Sequence, residues 1–322
     1  MSTGTFIALG ILVNCIWGTA FLIPHILPEA NPMVIAFGRY LVYGIVSLVL
    51  ILFTRKSWDK LSKDQWITAF ALGFAGNVGY YLFLTSSIHY SGITISALII
   101  GILPVSLIIA GNIVEKEYSF KSLVVPVAFI LSGMVTFSLS DIDTGESENF
   151  VVGALLAFIS LGLWTYYGVK NSRFLKENPN VSSNSWSLAI GVCCLAQSII
   201  AFPILGMFTN ALNFLTSTGD ERFLQIIAAC LFLGIVVSWL ATILWNQASR
   251  HLPVALAGQL IVFETISSLV YGFIADERLP NSGEFAAIVL VIIGVACGLR
   301  VSKRSKENAE ANSYSITQEG DV

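Results

Sequence analysis

Charge is what this chain has least of. Charged residues make up 11% of its 322 positions and hydrophobic residues 55%. That is too little charge to coat a soluble body of this size, so the net charge of −3 says little about partners. Histidine is nearly absent. His25, His89 and His251 fall at the ends of apolar stretches or in short loops, where a solvated ring is expected, and no Ser–His–acid set can be assembled from them at one depth. The five cysteines (Cys15, Cys193, Cys194, Cys230, Cys297) lie in apolar stretches without metal-ligand spacing, and the adjacent pair cannot easily form a disulfide on a helix. Ordinary packing is expected of them. A glycine-rich phosphate loop with its lysine is missing too. These gaps argue against an integral-membrane enzyme and call for no cofactor, no metal and no nucleic acid. No stretch is polar and long enough for a soluble domain; the longest aqueous gaps lie near 208–222 and 141–149. The first apolar run has no basic segment before it and continues to full spanning length, so it reads as a first helix rather than a cleaved signal.

What fills the chain is ten apolar stretches, near 5–24, 32–53, 66–88, 92–114, 121–140, 150–170, 183–207, 223–249, 252–274 and 283–300. A span needs about 20 mainly apolar residues to cross a hydrocarbon core of about 30 Å. Fourteen of the seventeen basic residues fall in alternate gaps and the C-terminal tail, among them Arg55, Lys56, Lys60, Lys63, Lys116, Lys121, Lys170, Arg173, Lys176, Arg250 and Arg300. The other side holds only Arg222 and Arg278, and Arg39 lies within a span. Basic residues stay on the cytoplasmic side. The expectation is therefore an all-α, multi-pass protein of the cell (inner or plasma) membrane, with both termini cytoplasmic and the acidic 141–149 loop outside. The 55–65 gap, with Trp58 and Trp66, suits a short interfacial segment, and polar residues 303–322 suit a disordered tail.

The chain repeats itself. Asn31-Pro32 recurs as Asn178-Pro179 and Trp17 as Trp164, both at an offset of 147; Glu117 recurs as Glu277 at 160. Each half has five spans, an odd number, so the second must insert upside down. Inverted repeats around a midplane site are the architecture of secondary transporters.

Several short motifs then fall into register. Asn14-Cys15-Ile16-Trp17-Gly18-Thr19-Ala20-Phe21, Phe37-Gly38-Arg39-Tyr40, Leu103-Pro104, Glu115-Lys116-Glu117 and Ala275-Asp276-Glu277 together resemble the drug/metabolite transporter superfamily, in its EamA-type branch. The resemblance covers all ten spans and leaves out the tail. It implies ten transmembrane helices as two inverted five-helix repeats, 1–145 and 146–302, around a central cavity, and export of a small metabolite. At one position the chain departs: Glu264 stands where members of the family often carry proline, aligned with Pro104. A relative's substrate therefore does not transfer.

Glu264 lies about halfway along span 9, where a carboxyl costs on the order of 3 kcal/mol and must face protein or water. It reads either as a proton or substrate-ammonium site, or as a structural group, ion-paired with a cation or protonated and hydrogen-bonded. Arg39 is the obvious partner. It sits about 10 Å in from one face and Glu264 about 18 Å from the other, at 1.5 Å per residue, so the two share a level. Arg39 could equally bind a substrate carboxylate or snorkel to the interface. Near that depth lie Asn14 and Trp17 on span 1, Asn77, Tyr80 and Tyr81 on span 3, and Trp164 and Tyr167 on span 6. Residues three apart share a helix face, so these suit an aromatic-walled cavity with a few amide hooks; interhelical packing is the alternative. Trp239, Trp245, Asn246 and Gln259 are secondary candidates nearer the cytoplasm, and Pro104 suggests a hinge in span 4.

One Arg, one Glu and an aromatic wall suit a small zwitterion such as an amino acid better than a polyphosphate. The expected function is a secondary transporter working by alternating access, with a channel or non-transporting scaffold as the rival. The expected partners are a small-molecule substrate and membrane lipid, with a homodimer allowed.

Overall fold

Helix starts in this chain are written in capping residues. Asn31 Oδ1 accepts from Met33 N at 2.9 Å and Pro32 fills the first helical position, where its missing N–H costs nothing. Ser62 and Gln65 form a reciprocal capping box at the head of span 3. Asn281 and Glu284 do the same for span 10, and the Glu284 carboxylate also takes a two-pronged grip from Arg278 at 2.9 Å on each side. The structure is a computed structural model that describes residues 3–27, 30–54, 58–115, 118–140, 150–207, 219–275 and 277–319.

Among the described residues every regular element is helical. Six helices are long and apolar enough to cross a membrane: Met33–Phe53, Lys63–Ser87, Val151–Glu177, Ser183–Met207, Glu221–His251 and Val254–Ala275. Shorter apolar helices, Thr3–Gly18, Leu103–Glu115, Phe120–Thr136 and Ser282–Gly298, supply the remaining four segments. The pairing of segments has a symmetry. Span 2 packs on span 7, 4 on 9 and 5 on 10, while span 1 packs on 8 and 9 as span 6 packs on 3 and 4. Exchanging 1–5 for 6–10 maps this pattern onto itself, as two inverted five-helix repeats require. Gly133 and Gly294 bring spans 5 and 10 together: a Cβ on Gly133 would meet Val291 at 2.6 Å, and one on Gly294 would meet Ile130 at 2.8 Å.

Irregularities recur at the same offset of 160. Span 3 contains a π segment at Phe74–Val78 and span 8 one at Leu233–Leu240. Span 4 breaks at Gly101–Ile102 and span 9 breaks at Ile261, between Val254–Leu260 and Val262–Ala275. Broken helices facing each other across a repeat interface are how transporter folds free backbone groups at the midplane.

The structure sharpens three expectations. Within the Gly101–Pro104 stretch where the sequence marks an interruption, the break falls at Gly101–Ile102, and proline is accommodated in the first turn of the helix that follows, Leu103–Glu115. No interruption appears at 89–91, since helix runs from Gly79 to Ile100. The chain nevertheless turns back: Ser160 of span 6 donates to Tyr80 O at 2.9 Å and Thr165 of span 6 bonds Ser106 at 2.7 Å. A straight helix rising about 1.5 Å per residue could not return to one level of span 6, so the reversal between spans 3 and 4 falls between residues 80 and 106. The third concerns the tail, expected to be disordered. Helix continues from Ser282 to Glu319, because no glycine or proline stands between Gly298 and Gly320 and the lysine, glutamate and alanine there are good helix formers. Arg55, Lys56, Lys116, Glu117, the 141–149 loop with its repeat boundary, 208–218 and Asp276 lie outside the described residues, as do the side chains of His25 and His89.

Candidate functional site

The centre of the bundle is aromatic. Trp17 of span 1 and Trp164 of span 6, the residues matched by the repeat, meet edge to face at 6.0 Å between ring centroids. Trp245 of span 8 lies 5.3 Å from Trp17 and 5.9 Å from Trp164, completing a cluster of three. Tyr167 (5.6 Å) and Tyr80 (6.4 Å) flank Trp164. Each offset or edge-on pair contributes about 0.5–1.5 kcal/mol beyond area burial. The tyrosines approach because Gly76, in the π segment of span 3, leaves room for the Tyr167 ring. The rings fill the place where the sequence suggested a cavity. A second crevice between spans 2 and 3, lined by Met33, Phe37, Tyr40, Val78, Leu82 and Thr85, has no room for a water molecule.

Beside this cluster stand Arg39 and Glu264. Arg39 Nε donates to Ser238 Oγ at 2.7 Å, and the guanidinium rests 5.4 Å from the Tyr40 ring centroid and 5.7 Å from that of Tyr81. A serine hydroxyl and two ring faces thus hold Arg39 without a counter-ion. Its terminal nitrogens take no partner among the described residues. Ion pairs among those residues join Arg173 to Glu177, Lys176 to Glu115 and Arg278 to Glu284, none of them involving Arg39 or Glu264. Arg39 is nonetheless the charge that acts on half-buried Glu264, and Tyr80 stands close enough to feel both. The cation and the carboxylate share the site unpaired.

The π segment of span 8 sets this geometry. In a π turn the bonds run from i to i+5, which leaves carbonyls available to other groups. Val237 O accepts from Trp17 Nε1 at 3.0 Å, and the next residue, Ser238, takes Arg39. Neither Val237 nor Ser238 stands out in the sequence. Nothing in an apolar run marks the turn that adds a residue.

The other expected residues divide. Asn14 is fully buried on the face it shares with Trp17. Asn77 is buried in the π segment of span 3, and Tyr81 meets Tyr40 at 6.3 Å. Asn246 is committed elsewhere: its amide accepts from Asn171 at 2.7 Å and donates to Ser187 at 2.8 Å, tying spans 6, 7 and 8. Gln259 points at Gly298 of span 10, away from the cluster.

Towards the end of the bundle that carries Lys60, Lys176 and Arg250, the two repeats are laced together by polar contacts. Asp59 Oδ2 accepts from Ser182 N at 2.8 Å, and that bond holds the Asp59 carboxyl below its ordinary pKa. Gln65 donates to Asn178 at 3.0 Å, while within the second repeat Arg250 donates to the carbonyl of Val181. Glu115 pairs with Lys176 and caps the broken half of span 9, accepting from Val254 N at 2.7 Å. Phe6 stacks on His251 at 3.9 Å. This end is shut.

Fold and site define a class: a multi-pass helical membrane protein of two inverted repeats, with aromatic rings and two charges where the repeats meet. Residues 4–139 match the EamA-like transporter family. The chain is 30% identical over 329 residues to the inner membrane protein YtfF of Escherichia coli K12, covering 98% of this chain and 100% of that one. It is 22% identical to the uncharacterized transporter YyaM of Bacillus subtilis 168, over 88% and 89%. A protein solved by crystallography superposes with a TM-score of 0.72 at 18% identity, covering 94% and 99% of the two chains. The chain belongs to the EamA-like transporter family and is a membrane transporter.

Proposed function

We propose that this transporter exports a small zwitterionic metabolite of the amino-acid kind by alternating access, with its basic end and both termini in the cytoplasm. Arg39 takes the carboxylate. Glu264 takes the ammonium or the coupling proton, and the rings of Trp17, Trp164, Tyr80, Tyr81 and Tyr167 form the wall, with Asn14 and Asn77 as amide groups beside it. The break preceding Pro104 and its counterpart at Ile261 are the hinges. One observation carries the reading: a cation and a carboxylate lie unpaired beside an aromatic cluster at the interface of the two repeats. A fixed guanidinium offers a planar, two-pronged grip to a carboxylate.

The test is flux. Everted membrane vesicles energised with a proton gradient should accumulate labelled amino acids from a mixture against their gradient. Arg39→Ala should abolish accumulation. Movement that only equilibrates the solute would identify a channel, and no movement of any amino acid would reject the substrate class.

A further inference from the structure

Two polar atoms in the tryptophan cluster have no use in the fold. Asn14 is fully buried, and its Nδ2 donates to Gly10 O in its own helix at 2.6 Å, which leaves Oδ1 without a partner. Trp245 is 2% exposed and its Nε1–H donates to no group among the described residues. The Trp17 indole donates to Val237 O and that of Trp186 to Asn171 Oδ1, while Trp239 Nε1, on the same span as Trp245 but outside the three-indole cluster, is likewise left without a described partner. Buried polar groups in native proteins are nearly always paired, so each exception asks for a reason.

The two atoms belong to different repeats but to one depth. Spans 1 and 8 run antiparallel, since Trp17 reaches Val237 and Phe6 stacks on His251. Asn14 therefore lies level with the stretch between Val237 and His251, which holds Trp245. Asn14 also shares a helix face with Trp17, whose ring touches Trp245.

Internal symmetry does not explain them either. Trp17 and Trp164 are counterparts, but at the same offsets the counterparts of Asn14 and Trp245 are Leu161 and Thr85. A repeated scaffold needs neither group, and the free acceptor and free donor stand on one side of the symmetry axis. A ligand held by them would be held in one orientation.

We propose that Asn14 Oδ1 and Trp245 Nε1–H form a neutral subsite for the uncharged part of the transported solute. Its ligand carries a group that donates and accepts at once, a hydroxyl or a carboxamide, on a flat or apolar body that fits among three indoles. This rests on the transporter reading and adds an uncharged contact to the charged one at Arg39 and Glu264. In this structure the rings close on one another, and the solute enters as they part.

Benzamide and acetophenone separate the two contacts, having one shape but an N–H donor only in benzamide. Binding to the purified full-length chain is read by titrating its tryptophan fluorescence. The wild type should prefer benzamide by about 5- to 10-fold, the size of one buried hydrogen bond. Asn14→Leu should erase that preference. Trp245→Phe should weaken both probes by about the same factor, and because it keeps a ring in place the test survives misfolding of Asn14→Leu. No saturable binding, no preference in the wild type, or unchanged affinities in Trp245→Phe would each overturn the subsite. The vesicle flux of the wild type does not depend on this result, so failure of the subsite and failure of the transporter reading are told apart.

Discussion

Arg39 and Glu264 sit close enough to interact, yet they form no ion pair, and Arg39 is held by other groups. Were they an ion pair, removing one would strand the other and cost about 3–5 kcal/mol. Arg39 is instead anchored by Ser238 and two tyrosine rings. Glu264→Gln should therefore express at wild-type levels. Proton-driven accumulation should be lost in that variant while exchange of solute across the membrane persists. Full accumulation in Glu264→Gln vesicles would remove the carboxyl from the mechanism. The sequence exposes these two charges through their cost in a membrane, and Trp17 and Trp164 through the repeat. Trp245 it misjudges. Counted along the backbone, that residue lies nearer the basic end, but helical side chains tilt toward the N-terminus of their own helix. Span 8 begins at the opposite face, so the ring reaches back to the centre.

At the scale of elements, the half-helix Val254–Leu260 is too short to hold itself together. Glu115 supplies its cap from the other repeat. Glu115→Ala should lower stability by about 1–2 kcal/mol, the usual worth of a cap, read as a lower melting temperature in detergent. Glu115→Gln keeps an acceptor for Val254 N and should lose less. Asp59 adds a pH dependence. Its carboxyl is held below the ordinary aspartate pKa of about 3.9 by the hydrogen bond from Ser182. The stabilisation is thus fully present above that value and is lost as pH falls through the lower, folded one. Chemical modification of residues at the basic end should accelerate in that acid range, and Asp59→Asn should abolish the acceleration. Caps such as Asn31-Pro32 and Ser62…Gln65 are legible in the sequence because they are local. The π segments and the Glu115 cap depend on tertiary contacts, and no local pattern announces them.

Across the whole molecule, the odd number of spans per half and the alternation of basic residues already imply two inverted units. The packing of 2 on 7, 4 on 9 and 5 on 10 is the form that takes. Sequence could not say which spans touch, since every span is apolar on most faces. It also gave no sign of the polar lacing between the repeats at the basic end. If that end is one of two alternating gates, tying it shut must stop transport. The measurement is a disulfide lock: Asp59→Cys with Ser182→Cys, at positions whose native side chain and backbone bond at 2.8 Å, in a chain otherwise free of cysteine. Oxidation should abolish uphill accumulation in vesicles and reduction should restore it. Undiminished accumulation with the lock fully formed would contradict alternating access between these two repeats.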